Sequence, residues 1–174
     1  MIEYSRYVVQ ERAIPSMCDG LKPVQRIALW TMFNDVGVNK KIKTVGLAGA
    51  MMAGGYYNHG DSSAATSIQQ MAGPFLNNAS YFDGHGSFGT KVEPHSMGAP
   101  RYTSVSMSKF SKDCMLVDED LHEMVLTVDG DTTMCKTFLP LLPTVLLQGT
   151  SGMAIGYSTD ILPHSVEALK AAIS

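Results

Sequence analysis

Three helix-length segments, each closed by glycine, constrain this chain more than any other feature of its sequence. The stretch from Pro23 to Val36 opens with a residue suited to a first helical turn. It places Val24, Ile27, Ala28, Trp30, Thr31 and Phe33 on a mostly apolar face and meets Gly37 as a stop. A second stretch, about Thr44 to Ala53, is rich in Ala, Met and Leu and ends at Gly54 and Gly55. A third, capped by Asp61 or Ser62, reaches about Ala72, where Gly73 and Pro74 close it. Two helices, a tight glycine-rich turn and a third helix with small polar residues on one face is the order of a helix-turn-helix. The third helix would be the one near DNA.

After the third helix, YFDGHGSFGTKVEP and RYTSVSMSKF alternate like strands around glycine turns, as a β wing would. From Lys109 the acidic SKDCMLVDEDLHEMV reads as a surface helix. The stretch FLPLLPTVLLQGTSGMAIGYSTDILPHS then reads as short apolar strands separated by Pro and Gly turns. The expected class is α+β: a helix-turn-helix with a β wing over residues 1–112, followed by a further set of strands over 113–174. No internal repeat or low-complexity tract is present.

At 174 residues one principal core is expected. No stretch reaches the ~18 apolar residues that a membrane span requires. The opening MIEYSRYVVQERAIP carries acidic Glu3 and lacks the positive flank and apolar run of a secretory signal, so a cytoplasmic location is expected. Cys18, Cys114 and Cys135 are odd in number and share no short spacing, which points to reduced core residues rather than a disulfide framework or a zinc knuckle. The net charge of -3 conceals an asymmetry. Residues 1–112 hold 11 Lys and Arg against 7 Asp and Glu, whereas 113–174 hold 2 against 9. The N-terminal two thirds is therefore the part that could face phosphate.

Gly84, Gly86 and Gly89 match GxGxxG, yet a dinucleotide loop needs a helix to start at the glycines and receive pyrophosphate. Here Lys91 to Pro94 gives β-like residues and a proline, so a turn in a β wing is the better reading. His59, His85, His95, His122 and His164 never fall at the i, i+4 spacing of a helical metal site. His59 is set apart because, with Gly60 and Asp61, it stands at a helix start, where backbone donors and an imidazole could meet a phosphate. Arg101 and Tyr102 in GAPRYTS form the other pair of interest. A phenol, with a reference pKa of ~10, needs a proton acceptor and nearby positive charge to act as a nucleophile. A guanidinium beside it can also neutralise charge on a phosphorus under attack. Most tyrosines after an arginine are amphipathic side chains at a core edge, so the dipeptide by itself does not name a nucleophile.

The ordered set ERAIPSMCDGLKPVQR, YYNHGDSS, MAGPF, FDGHGSFGT, PRYTS and QGTSGMAIGYST, with ILPHS following Asp160, resembles the DNA-cleavage subunit of type IIA topoisomerases over nearly the whole chain. Its phage members are more similar in style than bacterial gyrase. The resemblance implies a winged-helix domain that bears the catalytic tyrosine, followed by the first strands of a tower domain. It implies that Tyr102 is the nucleophile, joining the 5' phosphate of the cut strand, with Arg101 as the arginine beside it. It further implies that Arg12, Lys22, Arg26, His59, Ser62, Ser63 and Lys91 lie along the DNA, and that Met153 stands where the family places an isoleucine that wedges between base pairs. Methionine can still unstack a base step, with less fixed geometry than a branched side chain. Tyr57 is a second departure, standing where gyrases have a histidine two residues before the one matching His59.

By the same resemblance, Mg2+ is held by a partner's Toprim domain and ATP by the partner's ATPase domain, and this chain alone binds neither. No DxD or comparable carboxylate cluster lies near Tyr102 in sequence. The expected partners are double-stranded DNA, a second copy of this chain, and the Toprim/ATPase subunit. Two other readings compete: a non-catalytic winged-helix DNA-binding protein, and a nucleotide-dependent oxidoreductase built on GxGxxG.

Overall fold

Pro23 starts the first helix, whose entry is held by Gln25: its Oε1 accepts the N–H of Lys22 at 2.9 Å. In the computed structural model, which describes residues 14–127, 129–154 and 156–173, this helix, α1, runs Pro23–Thr31. Its last turn widens over Met32–Val36, with the N–H of Gly37 donating to the carbonyl of Met32, and Gly37 ends it at φ 104°. Strand β1 (Lys41–Lys43) leads directly into α2 (Thr44–Ala53). The third helix, α3, spans Asp61–Ala72. Gly60 occupies its cap position and Asp61 is its first helical residue, whose Oδ1 accepts the first-turn N–H of Ser62 at 2.8 Å.

Helical spacing brings Ala64, Ala65, Ile68, Met71 and Ala72 to the buried side of α3, against Leu47, Ala48 and Met51 of α2 and Ile27 to Trp30 of α1. The three helices pack pairwise. Over them lies an antiparallel three-stranded sheet of order β1-β3-β2, with β2 at Phe82–His85 and β3 at Ser104–Met107. Phe82 pairs with Met107 and His85 with Ser104, so Phe82, Val105 and Met107 enter the core. The GxGxxG stretch starts no helix: Gly84 lies in β2, and Gly86 and Gly89 lie in the loop that follows. A Cβ at Gly84 would lie 2.6 Å from the Phe88 ring, and Gly89 takes φ +87° with the Pro94 carbonyl standing where a Cβ would project. Residues 91–94 form no strand.

Past residue 108 the structure departs from the sequence pattern in two places. The surface helix expected from Lys109 is a single wide turn, Ser111–Met115, then a 3-10 turn, Glu119–Leu121, then strand β4, Met124–Leu126. Ser111, Cys114 and Met115 are buried, because tertiary contacts capture one side of a segment whose charges had suggested full solvation. Strand β4 pairs with β5 (Thr133–Cys135). The TVLLQ stretch is not a strand but a short helix, α4 (Thr144–Gln148). It precedes a hairpin of β6 (Thr150–Ala154) and β7 (Tyr157–Ile161), and helix α5 (Val166–Ile173) follows. Cys114 and Cys135 are buried thiols, while Cys18 is exposed; all three are free.

The C-terminal stretch is fastened to the helices through Asp19, which is fully buried. Its carboxylate accepts from Arg26 Nε at 2.7 Å, Arg26 Nη2 at 2.9 Å, and the backbone N–H groups of Leu21 and Phe138. Its carbonyl accepts from Thr144 Oγ1 at 2.7 Å. Met115, Cys135 and Phe138 thereby join the same core as the three helices. Removing one partner of a buried, hydrogen-bonded pair leaves the other charge uncompensated. Asp19→Ala is expected to lower unfolding free energy by about 3–5 kcal/mol in urea denaturation.

His122 is buried edge-on against Phe138, and neither ring nitrogen has a hydrogen-bond partner among the described residues. Burial pulls its pKa below the ordinary value, against the opposing pull of Glu119 and Asp118. The unfolded chain then takes up a proton that the folded chain refuses. This contribution to stability is present above the ordinary histidine pKa and lost as pH falls below it. The melting temperature should drop more steeply between about pH 7 and about pH 5 for the native chain than for His122→Leu, as followed by circular dichroism.

Candidate functional site

Residues 99–102 form a tight turn at the start of β3, in which Ala99 O accepts from Tyr102 N at 2.8 Å and Thr103 N at 3.3 Å. Helix α2 begins beneath it, and its first amides, which have no partner inside the helix, point at this turn. Thr44 N donates to Thr103 O at 3.1 Å and Val45 N to Pro100 O at 3.4 Å. The Thr44 and Thr103 hydroxyls lie 2.8 Å apart. From α3, Gln69 Nε2 donates to Gly98 O at 2.6 Å and reaches Thr103 Oγ1 at 3.3 Å. Two helices thus grip the backbone on both sides of Tyr102.

On this fixed turn the Tyr102 side chain is 69% exposed, with the Arg101 guanidinium carbon 4.9 Å from its ring centroid. That stacking places a permanent positive charge against the phenol. Tyr56, Tyr57 and Tyr81 are buried instead, and burial pushes the Tyr56 and Tyr81 phenols up, away from nucleophilic character. Tyr157 is exposed on β7, but no arginine is adjacent to it in sequence.

Lys22, Tyr57, Asn58, His59, Ser63, Ser67 and Gln70 line one cleft of about 420 Å³ between the starts of α1 and α3. The structure therefore brings Lys22 together with His59 and Ser63, which lie close to each other but far from Lys22 in sequence. The buried Tyr57 ring meets His59 edge-on at 5.4 Å and supports the imidazole. Ser62 and Ser63 are exposed in the first turn of α3. Lys91 is exposed in the loop between the paired residues Phe88 and Met97. Met153 stands 84% exposed on β6, whose neighbour Ser151 accepts from Lys22 Nζ at 3.0 Å.

One expectation is corrected: Arg26 does not face solvent. Its guanidinium is buried on Asp19 and also donates to Leu21 O at 3.0 Å, so it braces the chain instead of meeting a phosphate. Arg12 lies outside the described residues. Sequence reasoning missed Thr44, Gln69 and Thr103. A glutamine within the otherwise apolar stripe of α3 was the one available signal, since a buried amide needs partners. No three His, Cys, Asp or Glu side chains among the described residues are grouped so as to hold a metal ion.

The mixed helix and sheet of this unit belongs to a class that comparison with solved structures identifies. The chain is similar to the topoisomerase II DNA-binding, cleavage and re-ligation domain of Plasmodium falciparum, at a TM-score of 0.91 and 28% identity over 99% of this chain and 24% of that one. The sequence profile of the DNA gyrase/topoisomerase IV A-subunit family matches residues 12–174, and the chain belongs to that family. It is 38% identical to the DNA topoisomerase 4 A-subunit of Salmonella typhimurium, over 99% of this chain and 23% of that protein. It is 37% identical to the DNA topoisomerase medium subunit of Enterobacteria phage T4, over 99% of this chain and 38% of that protein. The chain thus spans about a quarter to two fifths of the length of these relatives.

The clamp under the tyrosine is testable by itself. Thr103→Val removes the hydroxyl shared by Thr44 and Gln69 in a buried setting, and unfolding free energy measured in urea should fall by about 1–3 kcal/mol.

Proposed function

We propose that this chain is the DNA-binding and cleavage part of an ATP-dependent type II DNA topoisomerase, with Tyr102 as the nucleophile. The observation that carries the proposal is the exposed phenol held on a rigid turn with the Arg101 guanidinium stacked on it. In this reading residues 1–112 are a winged-helix domain, α1 to α3 with the β1-β3-β2 sheet as its wing, and 113–174 begin a tower-type domain.

The phenol oxygen of Tyr102 attacks a backbone phosphorus, and its proton passes to a base. The new O–P bond forms as the bond to the 3' oxygen breaks, and that oxygen takes up a proton from water, which leaves a 3' hydroxyl and a 5'-phosphotyrosine. Bond energy is conserved, so the 3' hydroxyl reseals the strand by the reverse step. Arg101 stabilises the charge that gathers on the phenol oxygen and the phosphoryl group. Lys22, His59, Ser62, Ser63 and Lys91 hold the duplex by its backbone, and Met153 enters a base step to bend it. Mg2+, which adds Lewis-acid stabilisation of the phosphate charge, belongs to a partner's Toprim domain, and ATP to its ATPase domain. A pair of these chains, one per strand, acts on double-stranded DNA in the cytoplasm. No helix among the described residues is long and apolar enough to cross a membrane.

The deciding experiment mixes the chain with its Toprim partner, Mg2+ and supercoiled DNA, and arrests the reaction with detergent. Wild type and Tyr157→Phe should retain covalently attached DNA, and Tyr102→Phe should retain none. An adduct on Tyr102→Phe would overturn the assignment, and no adduct on any of the three would favour a non-catalytic DNA binder. Affinity for duplex should fall linearly on a plot of log affinity against log salt, with a shallower slope in Lys91→Ala.

A further inference from the structure

The hairpin that carries Met153 projects from the chain on two roots, Leu147–Gln148 before β6 and Pro163–His164 after β7. Both roots meet one short loop, residues 77–80, which joins α3 to β2. The side-chain amide of Asn78 spans them: its Nδ2 donates to Leu147 O at 2.7 Å and to His164 O at 3.2 Å. Gln148 answers from the hairpin side. Its Oε1 accepts the N–H of Asn78 at 3.1 Å and of Ala79 at 3.4 Å, and its Nε2 donates to Ala79 O. Two amide side chains thus hold the loop and both hairpin roots through five hydrogen bonds. Lys22 Nζ supplies one more contact, exposed, at Ser151 O.

The same loop runs straight into the sheet of the tyrosine. Tyr81, next in the chain, is buried; its carbonyl accepts from Ser111 Oγ at 2.7 Å and its N–H donates to Met71 O at 3.0 Å. Phe82–His85 then pair with Ser104–Met107, two residues beyond Tyr102. The path from the phenol to the Met153 hairpin therefore passes through a sheet, a buried tyrosine and the double amide grip.

We propose that Asn78 and Gln148 are positioning residues that set the Met153 hairpin at a fixed place relative to Tyr102, so that the base step opened by Met153 and the phosphate attacked by Tyr102 stay in register. This rests on the proposed roles of Tyr102 and Met153. Both amides are bonded to the loop and the hairpin roots. They act by denying the hairpin independent movement, because an amide bonded to both of its roots cannot follow one strand without releasing the other.

The test uses the whole chain with a short duplex carrying a fluorophore at each end. Binding is read by anisotropy, bending at saturating protein by energy transfer, and hairpin order by amide hydrogen exchange over Thr150–Ile161. In Asn78→Ala and Gln148→Ala, hairpin amides should exchange on the order of tenfold faster, a loss of about 1.4 kcal/mol in local stability. Bending should fall to the level of Met153→Ala, while affinity, set by phosphate contacts, stays within about threefold. Gln148→Met keeps side-chain length and removes every bond of the amide; it should match Gln148→Ala, and an unchanged circular dichroism spectrum with retained affinity separates both from variants that merely misfold. Unchanged exchange in Asn78→Ala and Gln148→Ala would overturn the clamp, as would faster exchange with a wild-type bend. A wild-type bend in Met153→Ala would instead overturn the wedge, and the exchange measurement would still decide whether the two amides hold the hairpin.

Discussion

The buried Asp19–Arg26 pair is the interaction on which the arrangement of this chain depends. One carboxylate receives a guanidinium through two nitrogens and the backbone N–H groups of Leu21 and Phe138, while its own carbonyl receives Thr144. A charge in the interior is tolerable only when such partners replace water, so the segments that supply them are obliged to meet there. Those segments are the entry to α1, the stretch after β5 and the start of α4. The consequence is that α4, and the hairpin it leads to, departs from a fixed point against the helices.

From that anchor the site assembles in two parts held by different means. Tyr102 is fixed by helix α2, whose otherwise unpartnered first amides end on the carbonyls of its turn, and by Gln69 of α3. The cleft of Lys22, His59 and Ser63 is made by bringing the starts of α1 and α3 together. In the first case the α2 amides are consumed in fixing the turn; in the second, the helix starts frame the cleft. The permanent charge of Arg101 therefore stands on a turn that the helices hold in place. Catalysis by positioned charge requires this kind of preorganisation.

Tyr57 illustrates how neighbours decide what a residue does. In the fold its ring is buried and lends an edge to His59. Arg26 is the opposite case: a cation within a segment shared with DNA-handling proteins, yet turned inward onto Asp19.

The three helices with their glycine and proline ends, the absence of a helix start at Gly84 to Gly89, and the family itself were legible in the sequence. Each is a local matter: helical periodicity, backbone conformations open to glycine, and a motif order shared with a family. The chain beyond residue 108 was less legible. Charge density suggested a solvated helix where contacts with the core pull Ser111, Cys114 and Met115 inward, and branched apolar residues suggested a strand where TVLLQ coils into α4. The partners of Gln69, Asn78 and Gln148 were invisible, because an amide side chain looks the same in sequence whether it meets water or joins chain segments 29 to 86 residues apart. Sequence determined which residues could do chemistry. Tertiary structure decided which face solvent, which are bonded away, and how rigidly the rest are held, since those properties depend on contacts that local pattern does not encode.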